Sequence, residues 1–129
     1  MSHPQIDQQI TFLYTHDLEK SADFYENIFG LKLWIDQGSC RIYSLREGSL
    51  IGICQVNKNS KGKVNNADQH ENIIFTIVTE QVDKWYAYLK ERGIVFEKPP
   101  ETNTNYNIYH CFLRDPNGYL IEIQRFLKT

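Results

Sequence analysis

His110 and Glu122 are the two residues in this chain best placed to do chemistry together. Asp115-Pro116-Asn117-Gly118 has the composition of a hairpin turn, with proline second and Asn-Gly behind it. The runs Ile108 to Arg114 and Tyr119 to Phe126 should then pair antiparallel. Alternation groups Ile108, His110, Phe112 and Arg114 on one face, and Leu120, Glu122 and Gln124 on one face of the other run. Pairing across the turn sets Glu122 against Phe112 or thereabouts, with His110 one step along on the same side. The same parity groups Asn72 with His70 and Gly52 with Cys54. Three uses of the imidazole and carboxylate follow, in order of preference. They hydrogen-bond each other or water in a half-open cavity. They work as a general acid/base pair. With His70 they hold a metal, since two imidazoles and a carboxylate are a suitable ligand set.

The elements that position these residues come in two similar halves. Ile10 to Tyr14 is a strand by composition, and Asp17 is a good N-cap for a helix over Leu18 to Phe29 that ends at Gly30. Leu31 to Ile35, Arg41 to Leu45 and Leu50 to Val56 read as three further strands, the last two joined by the turn Arg46 to Ser49. Residues 57–69 are polar and aperiodic, a linker. Asn72 to Val78 is again a strand, Thr79 an N-cap, and Val82, Trp85, Tyr86 and Leu89 share one helical face before Gly93. Ile94 to Phe96, a loop from Glu97 to Asn107 and the hairpin complete the pattern. The sequence thus predicts an α+β chain made of one βαβββ unit written twice, over about residues 8–56 and 70–127. One such unit covers one sheet face with its helix. Its other face curls into an open trough that a second unit closes, and a ligand is expected there.

Composition excludes several classes. At 129 residues there is room for one domain built of two small modules. Hydrophobic residues at 41% and charged residues at 23% are ordinary for a soluble globular chain. No apolar run is long enough to span a membrane and the start is not a signal peptide, so the expected compartment is the cytoplasm. The net charge is -2, and the one basic cluster, Lys58 to Lys63, lies in the linker, which argues against nucleic acid as a partner. Cys40, Cys54 and Cys111 are an odd count with no C-x-x-C pair, so they read as small buried hydrophobes rather than a disulfide framework or a zinc site. The aromatics divide: Phe24, Tyr25, Trp85 and Tyr86 pack on helix faces, which leaves Tyr43, Tyr106 and Phe112 for a ligand.

Asp17-Leu18-Glu19-Lys20-Ser21-Ala22-Asp23-Phe24-Tyr25 with Phe29-Gly30-Leu31, and Arg114-Asp115-Pro116-Asn117-Gly118-Tyr119-Leu120-Ile121-Glu122-Ile123, resemble the glyoxalase / bleomycin-resistance / ring-cleaving dioxygenase superfamily, the vicinal oxygen chelate fold. The resemblance runs over about residues 8–127. It implies paired βαβββ modules, a homodimer and, in the metal-using members, a divalent ion (Ni, Zn, Fe or Mn) acting as a Lewis acid. Carried onto this chain, the ligand positions fall on Ile10, near Gly52, on Asn72 and on Glu122, so most ligands of that site are missing. The expectation is therefore a member of this superfamily that binds a small organic molecule without a cofactor. Glu122 and His110 would anchor it, and Tyr43, Cys54, Asn72, Tyr106, Phe112 and Gln124 would line it. The competing expectation is an enzyme, either a metal-dependent lyase, dioxygenase or thiol transferase, with Glu122, His110 and His70 as ligands, or a metal-free catalyst using His110 and Glu122.

Overall fold

Hydrogen bonds at the ends of strands hold each βαβββ unit in shape. They are seen in a computed structural model that describes residue 4 and residues 6–56 and 73–127. The chain divides into two compact units, residues 1–64 and 65–129. The α+β class expected from the sequence is what the structure shows. Each unit contains one four-stranded mixed sheet, and neither sheet closes on itself.

The first unit runs β1 (Gln9–Thr15), α1 (Leu18–Ala22), a π-helical turn (Asp23–Ile28), β2 (Lys32–Asp36), β3 (Cys40–Arg46) and β4 (Ser49–Gln55). Its strand order is β1-β4-β3-β2, with β1 parallel to β4 and the other pairs antiparallel. Asp17 caps α1 by accepting from the Lys20 amide at 3.1 Å. The Gln55 side chain fastens the end of β4 to the same corner, accepting from Leu18 N at 2.9 Å and donating to His16 O at 2.8 Å. The expected single helix to Phe29 instead widens after Ala22 into the π-turn, closed by Phe29 N donating to Phe24 O at 2.8 Å. With this wider turn Phe24, Tyr25 and Phe29 are all buried, Phe24 and Tyr25 meeting edge to face with centroids 4.9 Å apart.

Two expectations for this unit are corrected by one bulge. Arg46 pairs with Ser49, but Ser44 pairs with Leu50, so one residue of β3 is skipped. An uninterrupted hairpin would put Tyr43 opposite Gly52 on the open face. The skip sets it opposite Ile51, on the face under α1, because a shift of one residue exchanges faces. Tyr43 is accordingly 0% exposed and packs rather than lining a ligand pocket. The same skip brings Cys40 opposite Cys54, and the two form a disulfide with Cα atoms 4.1 Å apart. They are not the separate buried thiols expected, and Cys54 has no free sulfur to offer a ligand.

The second unit repeats the order: β5 (Ile74–Val78), α2 (Val82–Glu91), β6 (Phe96–Asn103), β7 (Ile108–Arg114) and β8 (Leu120–Phe126), arranged β5-β8-β7-β6 with β5 parallel to β8. Val82 and Leu89 bury one side of α2 against a layer that includes Cys111, Leu113, Ile121 and Ile123. Thr79 does not cap α2 directly. Its hydroxyl accepts from Gln81 N at 3.1 Å, and Gln81 is the cap position. The expected loop from Glu97 is instead strand as far as Asn103. Pro99 and Pro100 fit because β6 is the sheet's edge and its register slips between Lys98 and Glu101.

The β7–β8 turn is the one expected. Gly118 N donates to Asp115 O at 3.0 Å, and Gly118 has φ 92°, where a side chain would be strained. The Asp115 carboxylate is buried and accepts from the Asn117 and Tyr119 amides, each at 2.9 Å. Removing that acceptor leaves two amides underbonded. We therefore expect Asp115→Ala to lower stability by about 2 kcal/mol in chemical denaturation, with a smaller loss for Asp115→Asn.

Candidate functional site

The turn fixes a register in which Phe112 faces Glu122 and His110 faces Gln124. On the other side of β8 the parallel pairing with β5 sets Thr76 against Glu122. The open face of this sheet therefore carries Thr76, Glu122 and Phe112 in one row, with Gln124 and His110 in the next. Glu122 is 9% exposed, His110 7% and Gln124 7%. A carboxylate this far from water needs partners for both oxygens. Thr76 Oγ1 donates to Oε1 at 2.9 Å, and His110 Nδ1 lies 2.6 Å from Oε2. An ionised carboxylate only accepts, so Nδ1 is the donor and, in the neutral ring, Nε2 is left as the acceptor. The Phe112 ring meets the imidazole edge to face at 4.9 Å and fixes its plane.

Glu122, Phe112, His110 and Gln124 form the floor of a concavity of about 590 Å³. Ile74, Ile108, Phe112 and Phe126 give it apolar walls, and Tyr106, 75% exposed, stands at its rim. From β6 come Asn103 and the pair Lys98–Glu101, whose charged atoms are 2.8 Å apart. The Lys98 ammonium lowers the Glu101 pKa by bonding to its carboxylate. Two other hollows, one beside Trp85 and Tyr88 and one beside Tyr86 and Phe96, contain no imidazole.

Of the residues selected from the sequence, His110, Glu122, Phe112, Gln124 and Tyr106 thus border one cavity. Tyr43 and Cys54 do not. His70 and Asn72 lie outside the described residues. Thr76, Asn103, Lys98 and Glu101 were not expected. Thr76 had a signal, since alternation from Asn72 reaches it, whereas the β6 residues were hidden by the apparent loop at Pro99-Pro100.

The described residues alone offer a divalent ion few donors. Among the described residues no three His, Cys, Asp or Glu side chains converge. Ile10 has no ligating atom, and the Phe12 ring occupies the space a side chain at Gly52 would need. Each Glu122 oxygen accepts one protein hydrogen bond, Oε1 from Thr76 and Oε2 from His110.

Cys111 is near this sheet's centre on the helix-facing side. Burial pushes its thiol pKa up to about 12, so it stays protonated and unreactive near neutral pH.

Comparison with known proteins gives concordant results. The family model described as Glyoxalase/Bleomycin resistance protein/Dioxygenase superfamily matches residues 6–123. The uncharacterized protein YraH of Bacillus subtilis (strain 168) is 27% identical over 125 residues, spanning 89% of this chain and 94% of its own length. A glyoxalase/bleomycin resistance protein/dioxygenase from Nocardioides has a similar crystal structure, with TM-score 0.73, 21% identity, and coverage of 99% of this chain and 87% of that one. Lactoylglutathione lyase from Agrobacterium tumefaciens is also similar, with TM-score 0.72, 20% identity, and coverage of 95% of this chain and 96% of that one. At such identities the structural likeness bears on fold alone.

Two outcomes follow from the geometry. His110→Ala takes a partner from a buried carboxylate and should cost about 2–3 kcal/mol in denaturant unfolding, with His110→Asn losing less. Cys111 should resist iodoacetamide in the native protein at pH 8 and react at once in guanidinium, as read by peptide mass.

Proposed function

The chain belongs to the Glyoxalase/Bleomycin resistance protein/Dioxygenase superfamily, and on that premise we propose that it binds a small, largely planar organic molecule in the cavity above His110 and Glu122. One observation carries this reading. A hydrogen-bonded imidazole and carboxylate form the floor of a cavity whose walls are mostly aliphatic and aromatic. That combination suits a ligand with a flat apolar body and one polar edge. Phe112 and Phe126 would contact the body, and Gln124 and His110 Nε2 would meet the polar edge. The cavity is large enough for a molecule of about drug-fragment size. A homodimer and a cytoplasmic location belong to the same reading.

A second reading rests on the orientation of His110. A carboxylate that holds Nδ1 leaves Nε2 as a base directed by its neighbour, which is the arrangement a metal-free acid/base catalyst needs. In this reading Glu122 positions the imidazole and His110 moves the proton.

Calorimetry on metal-stripped protein with indole, quinoline and aminopyridine tests the binding reading. Saturable binding of at least one of them, weakened about tenfold by Glu122→Gln, supports the binding function. No saturable binding across the panel contradicts it. So does stoichiometric uptake of a divalent metal that Glu122→Gln abolishes, together with turnover of the methylglyoxal–glutathione hemithioacetal.

A further inference from the structure

Register makes the two sheets directly comparable. Thr76, Glu122 and Phe112 correspond to Phe12, Gly52 and Ile42, and the pair His110 and Gln124 corresponds to Cys40 and Cys54. The first sheet thus has two sulfurs at the ladder position where the second has polar groups of its cavity. Tyr14 continues that row on β1, directly opposite Cys54.

The bond between these sulfurs is separable from the fold. β4 is held along β1 by a seven-residue register and along β3 by the hairpin ladder on the other side, so its place does not depend on the cross-link. The chain has no disulfide framework for the bond to belong to, since its remaining cysteine, Cys111, lies in the other sheet. The Cys40 side of the bond is also nearer to solution. Cys40 is only half-buried, Cys54 is 8% exposed, and their open-face neighbours Phe12 and Tyr14 are 43% and 38% exposed.

We propose that Cys40 and Cys54 form a reversible thiol–disulfide exchange site for small-molecule thiols. A thiolate attacks the sulfur of Cys40, the more accessible of the two, forming a mixed disulfide and expelling the Cys54 thiolate, which takes up a proton. A second thiol attacks the small molecule's sulfur in that mixed disulfide and releases Cys40 as a thiol. The protein disulfide gains two electrons and two protons, and two small thiols become one disulfide. Oxidation by the small disulfide runs the same steps backwards.

Cys111 does not interfere with the test, because its buried, protonated thiol is silent in the native chain. The full-length protein is oxidised with glutathione disulfide, desalted, and assayed natively with dithionitrobenzoate and by intact mass. No reactive thiols are expected. Incubation with millimolar glutathione should then expose two thiols per chain and raise the mass by about 2 Da, with the far-ultraviolet circular dichroism unchanged and the melting temperature lowered. Fresh glutathione disulfide should return the count to zero. Cys54→Ser, oxidised in the same way, should carry one glutathione on Cys40. The proposal fails if two thiols persist after oxidation, if glutathione cannot open the bond without denaturant, or if opening it unfolds the chain.

Discussion

A carboxylate nine-tenths removed from water is unfavourable by several kcal/mol unless each oxygen finds a donor. Glu122 meets that condition through neighbours on both sides of its strand. Thr76 reaches it from β5 and His110 from β7, so one side chain bridges the parallel and the antiparallel neighbours of its strand. The rest of the site follows from this requirement. The imidazole is turned by the carboxylate, Phe112 closes against the imidazole, and the apolar walls keep the group from being flooded. The same engagement of both oxygens makes Glu122 a hydrogen-bond anchor for the threonine and the imidazole.

How much of this could be read from the sequence depended on how local its cause was. The β7–β8 turn is decided by four adjacent residues, Asp115 to Gly118, and strand parity carries its register out to Phe112, Glu122 and His110 without further information. The helix faces and the glycines that end the helices were legible for the same reason. What failed was set by contacts between strands. A skipped residue near Ser44 moved Tyr43 from the open face to the core and joined Cys40 to Cys54, and nothing in Arg41 to Leu45 announces that skip. Counting across the Arg46–Ser49 turn without it would set Cys40 opposite Gln55. The strand through Pro99 and Pro100 was illegible because its tolerance for proline comes from lying at an edge, which is a property of the sheet.

The two units show how one ladder can support different chemistry. Both pair a first strand parallel with a last strand, and both turn one sheet face toward a helix. In the second unit the open face carries a threonine, a glutamate, a histidine and a glutamine that bind one another or border the cavity. In the first, the corresponding positions hold Phe12, Gly52 and a disulfide, with the aromatic ring lying over the glycine where a longer side chain would not fit. Repetition of the fold has therefore not meant repetition of the site, and the polar groups suited to a ligand are concentrated in the second unit.

Glu122 and His110 are thus committed to each other and, in the proposed function, to an organic ligand. Nuclear magnetic resonance of ¹⁵N-histidine and ¹³C-glutamate labelled protein during titration with paramagnetic Mn(II) and Ni(II) tests that commitment most directly. The His110 ring and Glu122 carboxylate signals should keep their intensity at equimolar metal. Selective loss of both signals at that ratio would contradict it and make the pair a metal site.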